Sequence, residues 1–562
     1  MHEVVESSRT YAGSTLVLET RFVTGEGEVV LVDFMPPMEE HTCVVRRVCG
    51  VRGAVAMRAD VALRFDYGRT VPWVTQTENE LRAVAGPDMV VLRSRDAEGG
   101  RVAFEGQDHT TASEFTVKAG ETVSFVLTYC SSLDAVPEEF DVEASLVATK
   151  EYWDDWMARC TYSGDYADEV RRSLLTLKAM TYRPTGGIVA AVTSSLPERL
   201  GGVRNWDYRF CWLRDTAFML LVFLRAGYRE EAMAWRRWLL RAVAGAPAQI
   251  QTVYGLWGER QLPEWIADWL PGYEGSAPVR IGNGAAEQFQ LDVFGEVAAA
   301  LARTPQAEDD IRVSASSLQA ELIDHLCDVW QEPDEGIWEV RGPRQHFTHS
   351  KVMAWVAVDR AIQHCEQYGG KGDVERWKQV RAAIHAEVLE RGFDPELNSF
   401  VQSYGSKELD ASCLRIALVG FLPPHDPRIV GTVTAIEKGL MRDGLVARYN
   451  THVTDDGLPG VEGTFLACSF WMVINLWLIG RCVDAQQLYA RLLTLLNDVG
   501  LIAEEYDPQA KRMLGNFPQA LTHIALVHAA FALSGEWTPQ HAHDADVEDI
   551  HGPGNLSHLQ AL

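Results

Sequence analysis

The sequence predicts a mostly α-helical fold, an (α/α)6 barrel preceded by an antiparallel β-sandwich domain. Near the N-terminus, every second residue from Val55 to Phe65 is apolar and the residues between them are Ala, Arg or Asp, which is the period of a strand with one solvated face. Near residue 140 the pattern changes to helical periodicity, which continues to about residue 534. The 562 residues also exceed what one hydrophobic core normally holds.

Residues 1–138 form the predicted sandwich. Short apolar runs are separated by Gly, Pro and Asp residues typical of turns; besides the alternating run they lie at 15–20, 29–34, 44–48, 89–92 and 122–129. A series of short strands favours an antiparallel sandwich. The first run already has the composition of an interior strand, so the sheet starts abruptly. Residues 139–164 are interpreted as a linker with a helix.

Residues 165–538 contain the predicted barrel. Twelve segments of helix length lie near 165–182, 214–227, 229–244, 283–303, 308–330, 349–366, 372–392, 409–420, 426–440, 463–480, 482–498 and 517–534. The sixth and tenth are apolar nearly all round, as inner helices are. Long loops at alternate junctions fit six helical hairpins whose loops build one rim. A helical-repeat solenoid is the alternative, but no sequence period supports it.

The composition indicates a soluble globular protein with a neutral ligand. A net charge of −27 argues against nucleic acid and anionic membranes as partners. We find no signal-peptide pattern and no apolar run of about 18 residues. Ten scattered cysteines without a CxxC pair favour free thiols and a cytoplasmic location. A homo-oligomer is left open. The tail, 539–562, is expected to be flexible, and its histidines match no metal-site spacing.

Residues 205–215 combine aromatic rings and charges at unusual density. The rings are Trp206, Tyr208, Phe210 and Trp212, and the charges are Asp207, Arg209, Arg214 and Asp215. Sugars are bound by this combination, because a pyranose stacks on an aromatic ring while carboxylates and guanidinium groups hold its hydroxyls. An amphipathic core segment with snorkelling arginines is the alternative.

Two acidic residues have unusual surroundings. A glycosidase needs two carboxyl groups whose environments separate their pKa values. Glu339 lies between Trp338 and Val340, apolar neighbours that raise a carboxyl pKa and suit a general acid. Glu504 lies in an acidic, Tyr-containing loop and is expected to be hydrated and ionised, as a general base must be. Either could be an ordinary loop acid, since the chain has 78 acidic residues.

Other chemistries are poorly supported. The sequence has no complete dinucleotide fingerprint, no phosphate-binding Gly-Lys-Ser/Thr motif and no Gly-x-Ser-x-Gly elbow. His346 and His349 are spaced like metal ligands but lack a His-Glu-x-x-His context, and are interpreted as lining a helix start.

Four blocks together resemble the bacterial branch of glycoside hydrolase family 15, which groups glucoamylases, glucodextranases, isomaltose glucohydrolases and trehalases. The blocks are 201–215, 272–283, 336–342 with 349–355, and 504–507. The resemblance extends over nearly the whole chain, from 15–20 and 33–36 to 515–519, and the blocks occur in the family's order.

The resemblance implies a β-sandwich before an (α/α)6 barrel and exo-acting, inverting hydrolysis of an α-glucoside that releases β-glucose. It implies Glu339 as general acid and Glu504 as general base, with no metal or cofactor. The residues assigned to substrate binding are Trp212, Arg214, Asp215, Arg280, Trp338, Arg448, Tyr449 and Tyr506.

A glucoamylase or oligosaccharide glucohydrolase is the main interpretation, and an α,α-trehalase is the alternative within the family. A non-catalytic sugar-binding protein and a helical scaffold are alternatives from other classes. Val340 replaces a second Glu of the fungal glucoamylase pattern, so contacts beyond the first sugar are expected to differ. The chain also lacks an N-terminal stretch usual in this branch, which makes an incomplete sandwich an expectation.

Overall fold

The computed structural model describes residues 3–37, 41–77, 80–303 and 309–535. It divides into two compact units, one of Met1–Cys160 with Asn497–Val499 and one of Thr161–Leu496 with Gly500–Leu562. The predicted tail lies outside the described residues. Among those described, no helix combines the length and apolarity needed to cross a membrane, and all ten cysteines are free.

The first unit is an antiparallel sheet followed by one helix. Its elements are β1 (Val4–Tyr11), β2 (Leu18–Thr24), β3 (Gly27–Phe34), β4 (Cys43–Val61), β5 (Trp73–Gln76), β6 (Leu81–Ala85), β7 (Asp88–Arg95), β8 (Glu105–Gln107), β9 (Thr110–Lys118), β10 (Thr122–Ser131) and α1 (Val142–Met157). The strand order is β1-β2-β3-β4-β10-β7-β6-β5, and β9, which also pairs with β8, joins β4. The long β4 pairs with β10 in its first half and with β9 in its second.

Strands far apart in that order share one hydrophobic core. Val29 of β3, Leu81 of β6, Val117 of β9 and Phe125 of β10 belong to the same buried cluster, so the sheet encloses its core from two sides as a sandwich does. The antiparallel N-terminal prediction is therefore confirmed. The first predicted run is only partly right, because Thr15 closes a turn: its Oγ1 donates to the Ala12 carbonyl at 2.6 Å.

The second unit is an (α/α)6 barrel, as predicted. Its twelve described helices are α2 (Ala167–Ala179), α3 (Leu213–Arg225), α4 (Arg229–Ala242), α5 (Asp292–Arg303), α6 (Asp309–Val329), α7 (Thr348–Tyr368), α8 (Val374–Arg391), α9 (Arg415–Leu418), α10 (Pro427–Leu440), α11 (Leu466–Leu478), α12 (Cys482–Leu493) and α13 (Ala520–Leu533). The odd-numbered helices α3 to α13 each pack on the next, and α13 packs on α3, which closes an inner ring. The even-numbered helices pack outside it.

Short strand pairs and 3-10 turns occupy the loops of the barrel. The strands are Thr181–Tyr182, Gly187–Ile188, Ser194–Pro197, Asn205–Asp207, Cys211–Trp212, Val253–Tyr254, Trp265–Ile266, Arg280–Ile281, Phe393–Asp394, Ser399–Phe400, Met441–Arg442, Leu445–Val446, Thr464–Phe465, Glu505–Asp507 and Arg512–Leu514. The 3-10 turns are Pro247–Gln249, Tyr273–Gly275, Gly284–Glu287 and Ala411–Leu414.

Several helices are shorter than predicted, and for two of them the structure shows why. The fourth segment was expected from residue 283, but α5 begins at Asp292, because the chain from Gln288 to Leu291 is bonded to the loop before α7. In the eighth segment, the Asp410 carboxylate accepts from the Ser412 N–H at 2.7 Å and starts a 3-10 turn, which leaves α9 a single turn.

Candidate active site

A cavity of about 750 Å³, open to solvent, lies at one rim of the barrel. Its wall comes from the five long loops that precede α3, α5, α7, α11 and α13. Each loop contributes a lining side chain, for example Trp206, Gln288, Glu339, Arg448 and Glu504. The predicted gathering of loops at one rim therefore produces a concave pocket, the shape that ligand sites have.

The segment 205–215 lines the inner part of this cavity. The strand Cys211–Trp212 pairs with Val253–Tyr254, which fixes Trp212 directly before α3. Arg214 and Asp215 then lie in the first turn of that helix, where a carboxylate is favoured by the helix dipole. The Arg214 guanidinium donates from Nε and Nη2 to the two Asp215 carboxylate oxygens, each at 3.2 Å.

Glu339 lies beside this pair. Its Oε1 accepts from Arg214 Nη1 at 3.1 Å, and the same nitrogen donates to the Ile337 carbonyl at 2.8 Å. Burial raises the pKa of the Glu339 carboxyl, while Arg214 acts in the opposite direction. The raised pKa agrees with the prediction from its apolar neighbours.

Glu504 is buried, with 1% of its surface exposed, so the prediction that it is hydrated was wrong. Tyr208 donates its hydroxyl to Oε1 at 2.7 Å. Oε2 has no hydrogen-bond partner among the described residues. Burial, reinforced by the Glu198 carboxylate, raises the pKa of Glu504 to about 8. The loop is acidic as the sequence shows, but Glu505 is buried with Glu504, and the Glu198 carboxylate from another loop favours the protonated form of Glu504.

Behind Glu504, three carboxylates with buried side chains converge on one arginine. The oxygens of Glu198, Glu462 and Glu505 lie within 4.8 Å of one another, a spacing that could hold a metal ion. The Arg448 guanidinium takes the place of such a cation, since it lies 2.5 Å from Glu462, 3.2 Å from Glu198 and 4.0 Å from Glu505. The charge that a cation would supply is already present.

The structure brings most of the predicted binding residues together. Trp212, Arg214, Asp215, Trp338, Arg448 and Tyr449 all line the cavity with the two glutamates. Trp338 Nε1 donates to Asp410 Oδ1 at 2.9 Å, and Tyr449 donates its hydroxyl to Asp456 Oδ2 at 2.7 Å.

Arg280 and Tyr506 do not lie on the cavity wall. Arg280 lies over the Trp206 ring, 4.5 Å from its centre, and donates to the Val203 carbonyl at 2.6 Å. Tyr506 lies in the strand that pairs with Thr464–Phe465, and its carbonyl accepts from the Thr464 hydroxyl at 2.8 Å. Arg280 therefore packs on Trp206, and Tyr506 binds Thr464; neither reaches the cavity itself.

The outer end of the cavity carries a further arginine that the sequence reasoning missed. Arg341 makes two bonds to the Glu264 carboxylate, one of them 2.8 Å long, and its guanidinium lies 4.4 Å from the centre of the Trp206 ring. Its side chain is 31% exposed, against 12% for Arg214. Its position two residues after Glu339 was a usable signal.

Of the other missed residues, only Arg204 lies in one of the sequence blocks, 201–215. Glu198, Arg204, Gln288 and Asp456 line the cavity from irregular loops. Their side chains reach it through long-range packing, which neither periodicity nor a local motif reports.

Comparison with known proteins agrees with this geometry. The model of the glycosyl hydrolases family 15 matches residues 164–495. The trehalase of Mycobacterium tuberculosis is 37% identical over 93% of this chain and 81% of its own length. That of Mycolicibacterium smegmatis is 37% identical over 93% and 82%, and that of Thermoplasma volcanium 40% identical over 68% and 61%. A crystal structure of a bacterial glucoamylase complexed with acarbose shares the fold, with a TM-score of 0.70 and 14% identity over 94% of this chain and 85% of that one.

Proposed function

Because the chain belongs to glycosyl hydrolase family 15, we propose that this glycoside hydrolase is an α,α-trehalase that acts with inversion at the attacked glucose. The observation that carries the proposal is the pair of carboxyl groups, the partly buried Glu339 and the buried Glu504, on the wall of one cavity. The name shared by the mycobacterial and Thermoplasma relatives favours trehalose over the α-glucans that the sequence suggested first.

In the proposed mechanism, Glu339 donates its proton to the glycosidic oxygen as the bond to the leaving glucose breaks. Glu504 removes a proton from a water molecule that attacks the anomeric carbon from the opposite face. The two carboxyl groups then stand about 6.5–9.5 Å apart, which leaves room for that water. The attacked glucose is released as the β-anomer and the leaving glucose as the α-anomer. Proton exchange with solvent restores both carboxyl groups.

The attacked glucose is placed at the inner end of the cavity. Arg214 and Asp215 there present a guanidinium and a carboxylate already aligned by their mutual bonds, which suits adjacent hydroxyls. Trp212 and Trp338 supply aromatic surface and Arg448 a further cation. These groups are buried, so hydrogen bonds to the sugar form with little competition from water.

The leaving glucose is placed toward the mouth. Arg341, with 31% of its side chain exposed and its orientation fixed by Glu264, lies on the cavity wall beyond Glu339. Val340, where fungal glucoamylases have Glu, also lines the wall. With Val340 in place of an acid and the Arg341 guanidinium beside it, this end of the cavity offers donors to the hydroxyl oxygens of a leaving sugar.

A substrate screen with anomer detection tests the proposal. The purified full chain is given trehalose, maltose, isomaltose, kojibiose and nigerose, and products are followed by proton NMR before mutarotation. We expect kcat/KM for trehalose to exceed the others by at least about tenfold, a ratio that pocket contacts readily supply, with equal α- and β-glucose at first. A preference for maltose would indicate a glucoamylase, and α-glucose alone would indicate retention. E339Q and E504Q serve as inactive controls.

A further inference from the structure

We propose that Gln288 is a positioning residue, which holds the general acid in its working orientation by binding the backbone beneath it. The inference rests on the proposed function of Glu339 as the acid. The segment concerned, 335–341, is called the acid loop below. Gln288 lies outside that loop, in the extended segment before α5.

The backbone of Glu339 has an unfavourable conformation. Its φ is 57°, in the left-handed region that residues with a Cβ rarely adopt. The turn is closed by the Glu339 N–H, which donates to the Gly336 carbonyl at 3.0 Å, and by the Val340 N–H, which donates to the Glu335 carbonyl at 3.1 Å. A conformation of this kind persists only where the surroundings hold it in place.

Gln288 contacts the strained residue directly. Its side-chain Nε2 donates to the carbonyls of Glu339 and Val340, each at 3.2 Å. One amide that binds two consecutive carbonyls fixes the peptide plane between them. The direction in which Glu339 projects from the backbone depends on that plane, so Gln288 sets the position of its carboxyl.

A chain of hydrogen bonds orients the Gln288 amide. Gln290 Nε2 donates to Gln288 Oε1 at 3.0 Å, and the Thr252 hydroxyl donates to Gln290 Oε1 at 2.8 Å. All donors point the same way, so the NH2 group of Gln288 faces the acid loop. Gln290 and Thr252 are almost fully buried, which makes a lost bond in this chain costly.

The chain of bonds ends at the helix that carries the sugar-binding pair. The Thr252 carbonyl accepts from the N–H of Leu213, the first residue of α3, at 3.0 Å. The hydrogen bonds therefore connect the backbone of the proton donor to the start of the helix that carries Arg214 and Asp215. This connection matters because acid catalysis requires a hydrogen-bond distance between the Glu339 carboxyl and the oxygen of a bound sugar.

Other bonds hold the base of the acid loop and do not depend on Gln288. The Glu335 N–H donates to the Phe289 carbonyl at 3.2 Å, and the Phe289 N–H donates to Glu335 Oε2 at 2.9 Å. The Leu291 N–H donates to Asp334 Oδ2 at 3.1 Å. Removal of the Gln288 amide therefore releases the tip of the loop while its base stays attached.

The test compares a substrate that needs the acid with one that does not. Trehalose, or whichever disaccharide the enzyme cleaves best, has a poor leaving group that needs protonation. In α-D-glucosyl fluoride the leaving group is fluoride, which departs with little protonation. For Gln288→Met, which keeps the length and removes both donors, we expect kcat on the disaccharide to fall about 10- to 100-fold, within the range that general acid catalysis contributes. KM and the rate on the fluoride are expected to stay within about threefold, and the melting temperature near that of the wild type.

Two further variants make the outcome decisive. E339Q is expected to lose more activity on the disaccharide than Gln288→Met does, and again to retain the rate on the fluoride. Thr252→Val, at the far end of the chain of bonds, is expected to show the same difference between the substrates with a smaller loss on the disaccharide. Equal losses of Gln288→Met on both substrates, a rise in KM with kcat unchanged, or no loss would overturn the inference while E339Q still shows the difference. If E339Q itself loses both substrates equally, Glu339 is not the acid, and the proposed function fails with the inference.

Discussion

At the scale of single residues, the groups beside the two catalytic candidates shift their pKa values against the proposed roles: Arg214 favours the charged form of Glu339, and Glu198 favours the protonated form of Glu504. Burial raises the pKa of both Glu339 and Glu504, yet one must donate a proton and the other accept one. Glu339 contacts the Arg214 guanidinium, whereas Glu504 has the neutral hydroxyl of Tyr208 and the carboxylate of Glu198 nearby. The ionised fraction of the base is therefore expected to limit activity at low pH.

Tyr208→Phe tests how that ionisation is controlled. The Tyr208 hydroxyl donates to Glu504 at 2.7 Å and stabilises its charged form. Since the base must be ionised, we expect the acidic limb of the kcat/KM profile to move to higher pH. A hydrogen bond to a charged group contributes about 1.5–3 kcal/mol, or about 1–2 pH units. The measurement is kcat/KM from pH 5 to 9.

Tyr489→Phe is the matched control, because this buried hydroxyl donates to the Leu526 carbonyl at 3.3 Å, away from the cavity. Its profile is expected to overlie that of the wild type. An unshifted acidic limb in Tyr208→Phe would show that the bond to Glu504 does not control its ionisation.

Arg341→Gln tests the outer end of the cavity. If Arg341 holds the leaving glucose, we expect KM for trehalose to rise. The lost binding free energy of about 1–3 kcal/mol should lower kcat/KM roughly 5- to 150-fold. Glucosyl fluoride, which has no second sugar, should be unaffected. Arg512→Gln is the control, since this exposed arginine pairs with Glu274 and does not line the cavity. A trehalose KM equal to that of the control would place the leaving sugar elsewhere.

At the scale of elements, short strands in the loops position the site more than the helices do. The strands Glu505–Asp507 and Arg512–Leu514 form a hairpin that ends beside Glu504. Gly515 follows it with φ 74°, and a Cβ there would lie 2.6 Å from Glu504 Oε2. This hairpin therefore requires glycine for both its backbone and its packing.

Gly515→Ala is expected to lower kcat by at least about tenfold, because the added methyl group displaces the Glu504 carboxylate, and misplacement of about 1 Å can reduce a rate a hundredfold. Gly405→Ala separates this effect from backbone strain. Gly405 also has a positive φ, 80°, but nothing lies within 4 Å of its Cβ position. We expect both variants to have a lower melting temperature, because a Cβ in the left-handed region costs about 1–2 kcal/mol. Only Gly515→Ala is expected to lose activity. Equal kcat values for the two variants would contradict this account.

What the sequence could predict also differs between elements. Helices with one buried face and several strands with a buried face were found, because burial leaves a periodic pattern, but β6 and β9 were missed although both contain buried positions. β1 was missed since nearly all its residues are exposed, and no face carries a signal. The start of α5 was placed too early because the extended segment at Gln288 is fixed by side-chain bonds to the acid loop rather than by local preference.

At the scale of the whole molecule, the cavity depends on contacts between residues far apart in sequence. Tyr208 and Glu504 are 296 positions apart, and the barrel brings them together only when its inner ring closes. The motifs singled out Glu339 and most of the proposed sugar-binding residues that line the cavity. They could not predict the burial of Glu504, nor Glu198 and Gln288, because burial depends on which loops meet across the rim.

The barrel also buries many carboxyl groups, which has a consequence for stability. Burial raises the pKa of Asp292 to about 6, of Asp334 to about 7, and of Glu296 to about 8. At these three groups the folded state therefore binds more protons than the unfolded state, from about pH 4 up to their folded pKa values. A group with a raised folded pKa stabilises the protein fully below its unfolded pKa, and that contribution is lost as pH rises through the folded pKa.

We therefore expect the melting temperature, measured by scanning calorimetry, to fall from pH 5 to pH 8. Each such group contributes about 1.4 kcal/mol per pH unit within its own window. Glu296→Gln isolates one of them: Glu296 is buried outside the cavity wall, where Arg415 Nη2 donates to its Oε1 at 3.3 Å. The amide can accept that bond but cannot titrate, so the decline between pH 5 and pH 8 should be shallower than in the wild type. General repulsion from the net charge of −27 also increases with pH, but it acts on both proteins nearly equally. A melting temperature that rises toward pH 8, or the same slope in both proteins, would mean that the buried carboxyl groups are ionised in the fold and compensated by their arginines.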